Sequence, residues 1–141
     1  DFDLPGMLIL QFAFDGNPEN PYLSHRHNGR DIVYTGTHDN NTTLGWYNSL
    51  PDDLRHKVYE YFGSPAEPMP WMLIQQAMAS PANTAIIPWQ DFLGLDGEHR
   101  MNTPGTTEGN WHWRFDWDQA PERLGQRVRD LLRDNGRLRE D

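Results

Sequence analysis

Ile32-Val33-Tyr34-Thr35-Gly36-Thr37-His38-Asp39-Asn40 is the stretch on which the fold of this chain turns. Residues Ile32 to Thr37 read as a strand whose two faces both carry small or β-branched side chains, the pattern of a parallel strand covered on both sides. The strand runs directly into a His-Asp pair. In a parallel α/β barrel the C-terminal ends of the strands carry the active site. A carboxylate and an imidazole at that end suit adjacent hydroxyl groups, such as a sugar presents. The same residues also fit a simpler role, in which Asp39 or Asn40 only caps the helix that follows.

Working outward, Met7 to Phe14 is a mostly apolar run between Pro5-Gly6 and Asp15-Gly16-Asn17-Pro18, and reads as a buried strand. Residues 15–30 read as a polar loop. After the His-Asp pair, a helix is expected near Thr43 to Asn48. Ser49 then reads as the N-cap of a second helix, with Pro51, Asp52 and Asp53 suited to its first turn. Leu54, Val58, Tyr61 and Phe62 share one face of it, and Gly63 ends it. Pro65 to Pro70 is a turn-rich connector. Pro70 to Ala79 is apolar nearly all round, the pattern of a buried helix. Thr84 to Pro88 reads as a short strand, Gln90 to Leu95 as one helical turn, and Asp96 to Asn110 as loop. From Asn110 to Asp116, Trp111, Trp113 and Phe115 alternate with His112, Arg114 and Asp116. Pro121 opens a last helix with Leu124, Val128, Leu131 and Leu132 on one face, stopped by Asn135-Gly136. Short apolar strands alternating with helices argue for a parallel sheet or barrel. Three strands cannot close a barrel, so the expected class is α/β, part of a barrel, with residues 1–141 as a single unit.

Composition narrows the partners. The 141 residues suffice for one modest core, and the formal net charge of -9 disfavours phosphate backbones, so no nucleic-acid partner is expected. Lys57 is the only lysine; arginines gather after residue 120 but are diluted by Glu122, Asp130, Asp134, Glu140 and Asp141. The absence of cysteine excludes disulfides and thiolate metal sites. No run reaches the ~20 apolar residues of a membrane helix, and Asp1-Phe2-Asp3-Leu4-Pro5 has no signal-peptide pattern. A cytoplasmic protein without a membrane partner is the expectation. The start at Asp1 reads as a fragment or a processed product.

Three further stretches could carry chemistry. Ile86-Ile87-Pro88-Trp89-Gln90-Asp91 and Met101-Asn102-Thr103-Pro104-Gly105-Thr106 place polar residues after a strand and in a loop; by themselves they read as loop structure. The alternating aromatics around Trp111 and Trp113 fit one buried face of a strand better than a sugar-stacking platform. His25 and His27 form a His-x-His pair, so a metal-dependent hydrolase built on His25, His27 and Asp39 has to be weighed. That pair sits in mid-loop, and no metal is expected.

Taken together, these stretches resemble the amylomaltase or disproportionating-enzyme family, glycoside hydrolase family 77. The likeness is carried by Pro5-Gly6-Met7 with Leu10-Gln11-Phe12-Ala13-Phe14; by Asn17-Pro18 and Asn20-Pro21; and by Tyr34-Thr35-Gly36-Thr37-His38-Asp39-Asn40 with Thr42-Thr43 and Gly45-Trp46. It continues in Ile87-Pro88 with Gln90-Asp91 and Leu93-Gly94-Leu95. It ends in Arg100-Met101-Asn102-Thr103-Pro104-Gly105-Thr106 with Gly109-Asn110-Trp111 and Trp113-Arg114. The resemblance implies a 4-alpha-glucanotransferase that moves α-1,4-glucan segments between maltooligosaccharides by a retaining double displacement, with no cofactor. It implies the last three strands of a (β/α)8 TIM barrel, here incomplete. It implies that Asp39 binds sugar hydroxyls at the cleavage point and helps distort the ring, with His38 on the same sugar and with Gln90, Asn102 and Trp46 as contacting or supporting residues. It further implies that the nucleophile and the acid/base lie ahead of Pro5-Gly6-Met7, so that this chain is catalytically incomplete. Asn41 stands where an acidic residue is common in the family. Such a piece is expected to pack against another copy or against the remaining strands. The alternative is a non-catalytic α-glucan-binding module using Trp111 and Trp113.

Overall fold

The structure, a computed structural model, describes residues 4–63 and 67–139. The connector expected at Pro65 to Pro70 therefore falls partly outside the described residues. Three short strands, β1 (Met7–Ile9), β2 (Ile32–Tyr34) and β3 (Thr84–Ile86), form a parallel sheet in the order β1-β2-β3. Met7, Ile32 and Thr84 stand in register, as do Ile9, Tyr34 and Ile86. Among the described residues five α-helices accompany the sheet: α1 (Thr43–Ser49), α2 (Asp52–Tyr61), α3 (Trp71–Ala79), α4 (Trp89–Phe92) and α5 (Leu124–Asp134). The α/β class expected from the sequence is the class observed.

All three strands are shorter than their apolar runs. β1 stops at Ile9 because the next residues turn into a 3-10 helix, Leu10–Ala13, which carries Gln11 into a buried position. The Phe12 carbonyl there accepts from Asn20 Nδ2 at 2.8 Å instead of from a neighbouring strand. β2 ends before Thr35, whose hydroxyl is taken by Asp91. β3 ends before Pro88, which has no N–H to offer a ladder.

One sheet face is covered and the other is open. Val33 is fully buried and joins Leu8, Leu10, Val58, Met72, Leu73 and Ala77 in the core. Helix α3 supplies most of that cover, which explains why its sequence is apolar nearly all round: Met72, Leu73, Ile74, Ala77 and Met78 are all buried. On the opposite face Met7 and Ile86 are 55% and 42% exposed. The expectation of a sheet covered on both sides thus holds on one side only within the described residues.

Helix boundaries follow local chemistry. Thr42 is the side-chain N-cap of α1, accepting from Gly45 N at 3.1 Å, whereas Ser49 does not cap α2 as expected. Ser49 is the last residue of α1, and its hydroxyl donates back to the Trp46 carbonyl at 2.7 Å. Helix α2 begins after Pro51 with no side-chain cap and ends at Tyr61; Phe62 is its C-cap, and Gly63 follows with a φ of 64° that suits a residue without Cβ. The last helix begins at Leu124 rather than at Pro121, because residues 121–123 form only a turn closed by Leu124 N on the Pro121 carbonyl. Beyond its end, the Arg137 guanidinium donates to the carbonyls of Met78 (2.7 Å), Ser80 (2.7 Å) and Ala82 (2.8 Å), tying the tail to the α3–β3 connector.

The alternating aromatics do not make a strand. Residues 111–116 follow an irregular path. Trp113, Phe115, Trp89 and Trp117 form a ring cluster, with Phe115 5.6 Å from Trp89 and 5.1 Å from Trp117. Trp111 leaves this cluster altogether, at a positive φ of 64° and 56% exposed. Period two marks a strand only where a neighbouring strand exists to pair with, and among the described residues none runs beside this segment.

Candidate active site

The cleft that gathers the candidate residues lies at the C-terminal ends of all three strands. It measures about 620 Å³ and is lined by Ile9, Tyr34 and Ile86 from the strand ends and by His38, Asp39, Gln90, Arg100 and Trp111. Parallel α/β sheets bind ligands at this end, because the loops that follow the strands are free to diverge there.

Residues 36–42 form the floor. Asn40 Oδ1 accepts from the Thr37 backbone N–H and the Thr37 hydroxyl, both at 2.8 Å. This closure of Asn40 back onto Thr37 turns the chain just where His38 and Asp39 project. Gln11, from the turn after β1, donates to the Asn41 carbonyl at 2.9 Å. That approach requires Gly36: a Cβ there would stand 2.5 Å from Gln11 Nε2.

The second wall is the loop 100–111. It is tied to itself by Thr103 N on Asn110 Oδ1 (2.8 Å), Asn110 Nδ2 on the Thr106 hydroxyl (2.9 Å), and Trp111 N on the Met101 carbonyl (2.8 Å). Asn102 Nδ2 donates to Asp39 Oδ1 at 2.7 Å, and Arg100 donates to the Asp39 carbonyl at 3.0 Å. His38 Nε2 stands 3.3 Å from the same Oδ1. The His38 ring lies 5.1 Å from the Trp111 ring. Both side-chain contacts of Asp39 fall on Oδ1; among the described residues, no hydrogen bond falls on Oδ2.

Of the five residues singled out from the sequence, four meet at or beside the cleft. His38 and Asp39 line it, Asn102 touches Asp39, and Gln90 lines it from below, buried, donating to the His99 carbonyl at 3.2 Å. Trp46 does not line it. That side chain packs on Phe14 (5.8 Å) and Tyr47 (6.5 Å), against the hydrophobic core. His27 is buried, with Nδ1 on the Ser80 hydroxyl and Nε2 on the Tyr22 carbonyl, both at 2.8 Å, so both ring nitrogens are engaged by protein. Among the described residues, no group of three His, Cys, Asp or Glu side chains could hold a metal.

Three structural contributors, Gln11, Arg100 and Asp91, stand in the stretches that carry the family resemblance but were not singled out as site residues. Gln11 and Arg100 act through side chains that reach 30 and 61 residues along the chain. Asp91 is 1% exposed, and burial raises its carboxyl above the ordinary value of 3.8 while hydrogen bonds from Thr35 and Thr43 pull the other way. Asn41 Oδ1 and Trp89 Nε1 are buried without a hydrogen-bond partner among the described residues; the former packs against Gly45 and Gly97.

Comparison with known proteins follows this geometry. The family model described as 4-alpha-glucanotransferase, glycoside hydrolase family 77, matches residues 1–119. The chain is 46% identical over 138 residues to a chloroplastic/amyloplastic 4-alpha-glucanotransferase of Arabidopsis thaliana, covering 95% of this chain and 24% of that protein. It is 43% identical over 145 residues to the 4-alpha-glucanotransferase of Thermus thermophilus, covering 97% of this chain and 29% of that protein. An amylomaltase from Streptococcus agalactiae, solved in complex with acarbose, superposes with a TM-score of 0.90 at 29% identity, over 96% of this chain and 28% of that one. The chain thus spans about a quarter of the length of the relatives it matches.

Proposed function

The chain belongs to glycoside hydrolase family 77, the 4-alpha-glucanotransferases, and from that premise we propose that it supplies part of the sugar-binding site of an enzyme transferring α-1,4-glucan segments between maltooligosaccharides with retention. In this reading its strands are the last three of a (β/α)8 barrel. The observation that supports it most directly is the Asp39 cluster: one carboxylate oxygen held by Asn102 at 2.7 Å and flanked by His38 at 3.3 Å, in a cleft at three strand ends.

The chemistry follows from that arrangement. Asn102 and His38 fix the Asp39 carboxylate through Oδ1, which leaves Oδ2 to accept hydroxyls of a bound sugar. Hydrogen bonds to an ionised acceptor are among the stronger ones, so contacts that tighten as the ring flattens toward an oxocarbenium ion favour the transition state. The exposed Trp111 ring offers an apolar face to the same sugar or its neighbour. Retention needs a nucleophile and an acid/base about 5 Å apart. Among the described residues that line the cleft, Asp39 is the one carboxylate. Asp91, buried and committed to threonines, is not available for either role. In this reading the described residues of the cleft bind and distort sugar without supplying the reacting pair, and the chain is inactive by itself. The open sheet face at Met7 and Ile86 is consistent with packing on further strands or on a second copy.

Two experiments test this. Tryptophan fluorescence titrated with acarbose should saturate for the wild type, and Asp39→Ala should weaken binding by about tenfold or more. Incubation with maltotriose should give neither glucose nor longer maltooligosaccharides. No saturable binding refutes the sugar site; a ladder of products refutes the missing reacting pair.

A further inference from the structure

We propose that Asp91 is a positioning residue, which from outside the cleft clamps together the two ends of the loop that carries His38 and Asp39. The inference rests on the reading of that loop as part of a glucan site. Asp91 Oδ2 accepts from the Thr35 hydroxyl and from the Thr43 hydroxyl, both at 2.6 Å, and Oδ1 accepts from the Thr43 backbone N–H at 2.8 Å. Thr35 is the first residue after β2, and Thr43 is the first residue of α1. The three donors thus sit at the two boundaries of residues 36–42, and none comes from the core helices α2 or α3.

The partners are as buried as the carboxylate: Thr35 and Thr43 are both 0% exposed. With water excluded, no solvent hydrogen bond substitutes for a lost one, and the geometry is correspondingly well defined. Asp91 itself rides on α4, the turn of helix that follows β3, and α4 is braced by Phe92 on Trp71 and by Trp89 on Phe115. The clamp therefore fixes the end of β2 relative to the end of β3. It also fixes Asp39 relative to Gln90, which belongs to the same turn of helix, and relative to Asn102 on the wall beyond. The loop has other ties, but none joins its two ends: Thr37 with Asn40 is local, Gln11 holds the Asn41 carbonyl, and Arg100 and Asn102 hold Asp39 itself. Asp91 does not line the cleft, so it acts on a sugar only through the loop.

The test separates positioning from general stability. Hydrogen–deuterium exchange and acarbose titration are measured on this chain and on Asp91→Ala and Asp91→Asn. The expected result is exchange in residues 36–42 that is about tenfold faster in Asp91→Ala. Amides of α3 should remain as in the wild type, acarbose affinity should fall by about tenfold, and Asp91→Asn, which keeps an acceptor for the Thr43 N–H, should fall between. Unchanged exchange in 36–42, or equal acceleration there and in α3, overturns the proposal. If Asp91→Ala does not fold, Thr35→Val decides: it keeps the side-chain shape but removes one donor, and normal exchange in 36–42 again overturns the clamp. Should the wild type bind no acarbose at all, the glucan reading fails, while the exchange pattern still judges the clamp independently.

Discussion

Gly36→Ala is expected to destabilise the chain by about 1–3 kcal/mol, and the cause can be isolated. The added Cβ would meet Gln11 Nε2 at 2.5 Å, Gln11 Cδ at 3.1 Å and Asn40 Cβ at 3.4 Å. Gln11 is 7% exposed and donates to the Asn41 carbonyl, so it has little room to retreat without giving up that bond. Overpacking of a buried site costs about 1–3 kcal/mol, and a lost hydrogen bond adds about 1 kcal/mol. Backbone strain does not enter, because Gly36 is not among the residues at positive φ; the lower chain entropy of unfolded alanine returns about 0.4–1 kcal/mol. Gln11→Ala alone leaves a void and an unpaired Asn41 carbonyl, a loss of about 1–3 kcal/mol. In the double variant the void receives the new methyl group, so its loss should fall short of the sum of the two single losses by about 1 kcal/mol or more. Urea unfolding followed by circular dichroism, with the slope of the transition unchanged, measures all three. Strict additivity, or a Gly36→Ala midpoint equal to that of the wild type, refutes the reasoning.

Other expectations rest on single contacts. Arg137→Ala removes charge-assisted bonds to the Met78, Ser80 and Ala82 carbonyls, and should lower unfolding free energy by about 2–4 kcal/mol; a loss below about 0.5 kcal/mol in the same urea assay contradicts the strap. Trp111→Gly keeps the backbone bond to Met101 and relieves a φ of 64°, so its thermal midpoint should stay close to that of the wild type while acarbose affinity falls by about tenfold; a large drop in midpoint would mean that the ring packs structurally. Asp91 has a raised carboxyl, so the folded state holds its proton to higher pH than the unfolded chain. Its contribution is therefore most favourable below the unfolded value of 3.8 and is lost as pH rises through the folded value. Subtracting the pH–stability curve of Asp91→Asn should reveal that fall, and a flat difference would contradict it.

The α/β class, part of each helical face and the strand end at which His38 and Asp39 sit were legible in the chain alone. These are encoded locally: apolar spacing finds Val58 as the buried residue of α2 and Leu124 as that of α5, although Tyr61 on the same expected face is 43% exposed, and a short apolar run that breaks into His-Asp-Asn reports a strand that has reached its end. The motifs also sufficed for the family. Only the tertiary structure decided strand length, since a strand lasts as long as its neighbours pair with it, and β1 gives up its ladder to bring Gln11 under the loop. Only it took Trp111 out of an apparently regular alternation, because no strand of the described residues runs beside it, and packed the half-buried Trp46 against the core. The site itself was assembled the same way. Asp39 meets Asn102 across 63 residues, and Asp91 meets Thr35 and Thr43 across 56 and 48. Contacts at such separations leave no periodic trace in a sequence; they arise where parallel strands bring their C-terminal ends, and the loops that follow them, to one side of a sheet.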